Sequence, residues 1–118
     1  MSEYLPRFTP GQNVTHTAAA DLVGGQLVEI TADRTVGPAA AGSLKVAGVV
    51  GNDCKAGGEV VVYMIPGHVH WVEAAAVVAA GDQIEAAADG KVTAGTTAPI
   101  GIALKAAEAG AVVEFLGR

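Results

Sequence analysis

Few side chains in this sequence could do chemistry, and the best placed are His68 and His70 in Pro66-Gly67-His68-Val69-His70-Trp71. On a strand, residues two apart share a face, so both imidazoles would point the same way, which suits Zn²⁺ or Fe²⁺. A working site needs a third and a fourth ligand, and His16 is the one other histidine. The simpler expectation is two polar rings on the solvent or interface side of a strand, with Val69 and Trp71 turned the other way. Cys54 stands alone, which excludes an internal disulfide and fits a reducing cytoplasm. No base lies near it in sequence, so it reads as a small apolar residue rather than a nucleophile. The serines, Ser2 and Ser43, stand in no Gly-x-Ser-x-Gly elbow, so a Ser/His/Asp triad lacks its nucleophile. Gly24-Gly25, Gly51-Asn52-Asp53 and Gly57-Gly58 open no helix with a Lys-Ser/Thr pair; they read as β-turns, not phosphate cradles. No metal, cofactor or catalytic residue is expected.

The bulk properties narrow the partners. The chain has 118 residues, enough for one compact domain, and a net charge of −5 with its lysines and arginines scattered. Nucleic acid is a poor partner for such a surface, because phosphate binding needs a concentrated basic face. No apolar run is long enough to span a membrane, and Met1-Ser2-Glu3-Tyr4 does not resemble the start of a secretory signal. Hydrophobic residues make up 51% of the chain, mostly Ala and Val, and its aromatics are Tyr4, Phe8, Tyr63, Trp71 and Phe115. A light core of this kind implies a thin stability margin, which self-association would widen.

The elements that must carry these residues are short. Sixteen glycines and five prolines divide the chain into runs rich in Val, Ile and Thr, the pattern of an all-β sandwich or barrel. The spacing predicts strands over Val14–Thr17, Leu27–Thr31, Lys45–Val50, Glu59–Ile65, Val69–Glu73, Gln83–Ala87, Ile100–Leu104 and Ala111–Leu116. Asp89-Gly90 marks a tight turn. Of the alanine runs, only Glu73–Ala80 is long enough to suggest a turn or two of helix.

The chain also repeats itself. Gly25-Gln26-Leu27-Val28-Glu29-Ile30 aligns with Gly81-Asp82-Gln83-Ile84-Glu85-Ala86, Asp33 with Asp89 and Val36 with Val92. After a shorter loop in the second copy, Ala47-Gly48-Val49 aligns with Ile100-Gly101-Ile102, and Gly57, Val60 and Val62 align with Gly110, Val113 and Phe115. Each copy, 25–62 and 81–115, reads as turn, strand, turn, strand, loop, glycine-containing strand, turn, strand. Alternation along the strands turns Val28 and Ile30 inward with Leu27 excluded, and likewise Ile84 and Ala86; Glu29 and Glu85 face water. In the last strand of each copy Val60, Val62, Val113 and Phe115 point into the core. Val61, Tyr63 and Ile65 then form an outward apolar face, larger than a soluble monomer normally shows, and with His68 and His70 they are the expected subunit interface.

Residues 1–20 differ from the rest and read as an extended N-terminal arm, followed by a single β domain over 21–118. Pro6 and Pro10 block a central strand, while Tyr4, Leu5 and Phe8 are costly side chains for a tail with no contacts. Tyr4, Leu5, Pro6, Arg7 and Phe8 are therefore expected to order against a partner.

Several stretches in order resemble the small capsid decoration (head cement or stabilisation) proteins of tailed bacteriophages. They are Gly11-Gln12-Asn13-Val14-Thr15-His16-Thr17-Ala18, Gly25-Gln26-Leu27-Val28, Val46-Ala47-Gly48-Val49, Ala80-Gly81-Asp82, Asp89-Gly90-Lys91-Val92-Thr93, Pro99-Ile100-Gly101-Ile102-Ala103-Leu104 and Ala109 to Gly117. The similarity runs from about Pro10 to Arg118 and departs at Met64–Trp71. It implies an all-β, small barrel or β-tulip-like body built from two similar units, assembly as a homotrimer, and binding to the major capsid protein on the outside of the virion. It also implies a structural, non-enzymatic role after synthesis in the host cytoplasm, with Tyr4–Phe8 as the capsid-binding arm. The competing reading is a small cupin-like β-barrel using His68 and His70 on a metal, although the cupin glutamate and late histidine have no counterpart here.

Overall fold

Glycine turns between runs of β-branched residues leave little but strands. A computed structural model describes residues 14–118 and divides them into two five-stranded units. The first holds β1 (Val14–Ala18), β2 (Leu27–Ala32), β3 (Thr35–Pro38), β4 (Val46–Val50) and β5 (Glu59–Met64), closed into a barrel in the order β1-β3-β2-β4-β5. The second holds β6 (Val69–Glu73), β7 (Gln83–Ala86), β8 (Val92–Ala94), β9 (Pro99–Ala103) and β10 (Val112–Gly117), in the sheet order β6-β10-β9-β7-β8. β3 and β8 are strands that only the repeat outline implied.

The units repeat one another strand for strand. β2 pairs with β3 and β4 as β7 pairs with β8 and β9, and β5 joins β4 to β1 as β10 joins β9 to β6. The irregularities repeat as well: β2 slips register against β4 between Val28 and Glu29, and β7 against β9 between Ile84 and Glu85. Leu22 bridges Cys54 as Val78 bridges Ala107. Glu29 accepts the Ala40 N–H at 3.0 Å, and Glu85 accepts the Ala98 N–H at 3.0 Å. Gly48 lies flat against the Tyr63 carbonyl and Gly101 against the Leu116 carbonyl, each where a Cβ would collide with it. This close backbone approach is why glycine stands at both positions.

The duplication is longer than sequence patterning indicated. β1 and β6 occupy equivalent places, so the strand expected at Val14–Thr17 is present as Val14–Ala18 and, although assigned above to the arm, forms part of the barrel against Glu59–Val62 of β5 and Thr35–Val36 of β3. Glu73–Ala80 is not helical: Glu73 ends β6, Ala74 bridges Val92 and Val78 bridges Ala107. These alanines are strand ends and turns because tertiary pairing outweighs the weak helix preference of so short a run.

Core residues of β5, β7 and β10 follow the expected alternation, and those of β2 do not. Ile84, Ala86, Val60, Val62, Val113 and Phe115 are buried as expected, but Ile30 is 38% exposed and Leu27 is fully buried. The register slip breaks the two-residue period there, so Leu27 and Val28 are both inside, on opposite sides of the wall. Val28 joins Ala18, Leu22, Val36, Val50, Val60 and Val62 in the barrel core. Leu27 joins Ala39, Val49 and Ile65 in the core of the second unit, around Phe115 and Ile84. The core of the second unit is therefore not self-contained; residues before β6 supply part of it.

The joint is also polar and steric. Gln26 Nε2 donates to the Asp89 carbonyl at 3.0 Å, Gly90 N–H to Ala39 at 3.1 Å and Gly42 N–H to Ala86 at 2.9 Å. Asp89 (φ 59°) and Gly90 (φ 73°) make the expected tight turn, and a Cβ on Gly90 would strike Gln26 and the Leu27 carbonyl. Lys91 Nζ lies 3.0 Å from Glu73 beside this turn, and the contact raises the lysine pKa.

Candidate functional site

The Met64–Trp71 segment connects the units, and its side chains do not point as sequence alternation suggested. Register pairs His70 with Phe115 and Trp71 with Glu114. His70 therefore faces inward, 6% exposed, while Trp71 and Val69 face out. The His70 ring stacks obliquely on Phe115 with centroids 5.5 Å apart, and Nε2 hydrogen-bonds the carbonyls of Met64 at 3.0 Å and Ile65 at 3.2 Å. A ring nitrogen serving two carbonyls must carry its proton, so Nε2 offers no lone pair to a metal. Burial pushes the His70 pKa down against the pull of both carbonyls, and His68, 5.7 Å away ring to ring, lowers it further. This histidine fastens the connection between the units. The geometry does not favour the metal reading: among the described residues no three His, Cys, Asp or Glu side chains converge.

The expected subunit interface needs correction in two places. Ile65 is 5% exposed, packed in the shared core rather than on the outer face, and His70 is buried as described. Val61 is half-buried opposite Thr15, Tyr63 is 40% exposed with its ring over Gly51, and His68 is half-buried. Tyr4, Leu5, Pro6, Arg7 and Phe8 lie outside the described residues.

The larger apolar surface lies on the second unit, where sequence reasoning did not place one. Trp71 is 66% exposed, Val112 56%, Val69 49% and Leu104 43%, and half-buried Ile102 and Leu116 lie between them. One signal for this was present in the sequence. Aligning Ala18-Ala19-Ala20 with Ala74-Ala75-Ala76 extends the repeat and sets Trp71 on Thr15, opposite Glu114, which alternation between inward Val113 and Phe115 turns outward.

Two units of one plan and an exposed indole on a sheet face describe a doubled all-β protein with a large apolar surface. Residues 8–117 match the phage cement protein family, and the chain belongs to that family. It is a capsid-associated structural protein. Its fold is similar to that of the head fiber gp8.5 N base in bacteriophage phi29, with a TM-score of 0.72 at 21% identity over 91% of this chain and 93% of that one. Among curated proteins, none matches the sequence.

Proposed function

We propose that this protein binds the outer surface of a phage head, contacts the major capsid protein and stabilises its lattice as a homotrimer, without catalysis. Membership of the cement family over 8–117 is the observation that carries this reading. The physics agrees with it. A light core sharing residues between units gains stability from assembly, and a trimer touching several capsid subunits gains avidity through effective concentration. Tyr4, Leu5, Pro6, Arg7 and Phe8 serve as the capsid-gripping arm, since aromatic and apolar anchors carry most interface energy. Val61, Tyr63 and His68 remain the proposed contacts between copies. The protein is made in the host cytoplasm and acts on the virion.

The test is binding of purified protein to heads prepared without it, followed by cryo-electron microscopy. External density of this mass in threefold clusters is the expected result, and removal of residues 2–10 should abolish binding while the fold survives. Absence of external density at saturating protein would overturn the reading.

A further inference from the structure

The outer face of the second unit supports an inference that rests on this capsid reading and deepens it. Cross-strand register sets Val69 beside Leu116, Leu116 beside Ile102, and Trp71 beside Glu114, while Leu104 N–H donates to the Glu114 carbonyl at 2.9 Å. Five apolar side chains thus surround one carboxylate, which has no ion-pair partner among the described residues. The fold does not require this arrangement. The first unit builds the same strands with Thr15, Val61, Tyr63 and Gly51 at the positions of Trp71, Glu114, Leu116 and Leu104.

We propose that this face docks an extended segment of the major capsid protein carrying one arginine or lysine between apolar residues. An exposed indole beside a carboxylate receives a guanidinium through its ring face and its charge together. The flanking Val69, Ile102, Leu104 and Leu116 take apolar neighbours of that cation. Charge decides between partners. Two such faces meeting across a twofold axis would oppose Glu114 to Glu114, and the proposed trimer contacts at Val61, Tyr63 and His68 lie on the other unit, which leaves this carboxylate for a cation of the capsid protein.

The experiment compares wild type, Trp71→Ala, Glu114→Lys and Val77→Ser, whose exposed valine lies outside this set, on heads prepared without the protein. Occupancy is read after pelleting at low and high salt, oligomeric state by light scattering, and folding by melting temperature. Trp71→Ala and Glu114→Lys should each weaken head binding about tenfold or more. Val77→Ser should match wild type, and all should keep the wild-type melting temperature and oligomer. Wild-type occupancy for Trp71→Ala and Glu114→Lys overturns the inference and leaves the capsid reading standing. Loss of self-association in Trp71→Ala assigns the face to a second copy and also overturns it. Failure of wild type to bind heads overturns the capsid reading itself, and this inference with it.

Discussion

The first unit closes its barrel through β1 and β3, which run parallel with Thr17 opposite Thr35 and Ala18 opposite Val36. The second unit has the same strands in the same order, but at that seam it keeps a single bridge, Ala74 to Val92. The corner of the first unit explains the gap. Gly25 sits by the Trp71 carbonyl, and Gln26 reaches across to the Asp89 carbonyl and packs on Gly90. Opening one barrel is the means by which the two are joined, and the price is a second unit whose core is completed by Leu27, Ala39, Val49 and Ile65. Equivalent backbones therefore carry different duties: one unit stands closed, and the other leans on it while presenting Trp71.

The sharpest way to break this contrast is to hollow each core at equivalent positions. Phe115→Ala in the second unit should cost about 3–5 kcal/mol, and Val62→Ala in the first about 2 kcal/mol. Because the core is shared, both should shift one cooperative denaturant transition, and two separate transitions would refute the shared core. Next in size is the joint. Gly90→Ala, with a Cβ driven onto Gln26 and the Leu27 carbonyl, should cost about 1–3 kcal/mol and speed proteolysis between the units. Gly57→Ala meets open space at φ 87°, so only backbone strain of about 1–2 kcal/mol should appear, with no added cleavage. Equal behaviour of the two variants would remove the steric role assigned to the joint.

Acid should separate the units more gently. His70 is held below its usual 6.5, so the unfolded chain takes up its proton first. Stability then falls as pH drops below about 6.5 and levels off below the folded value, with a slope of at most about 1.4 kcal/mol per pH unit. Glu29 is held below 4.5 chiefly by the Ala40 N–H, and Asp21 below 3.8 by the Ala56 N–H and then Lys55. Their contribution is present above those values and is lost only as pH falls further. A melting-temperature profile should show the earlier loss in wild type and not in His70→Asn, which is less stable throughout. An unchanged profile would dissociate His70 from the joint.

Much of this was written in the sequence. The glycine punctuation, the Gly25/Gly81 alignment and the Val60/Val113 alternation give two β units with correct inward faces in their last strands. The errors have local causes. A register slip at Val28 cannot be seen in a hydrophobic pattern, so Leu27 and Ile30 exchanged places. At Met64–Trp71 a polar-out rule sent the imidazoles outward, whereas His70 finds its partners in the Met64 and Ile65 carbonyls, groups that carry no sequence signature. The alanine triplets stand in both copies, but reading Glu73–Ala80 as a turn or two of helix hides β1 and β6 as counterparts, and the polar-out rule turns Trp71 inward.

The corner at Gln26 has a consequence for how such a doubled chain can change over time. A substitution there is felt at once by Asp89 and Gly90 in the other half, so the halves must drift in step along their contact. Away from it they are free to differ, as Thr15 and Trp71 do at equivalent positions. Substitution is coupled at the seam and uncoupled on the outside, so the outer faces can change without disturbing the joint.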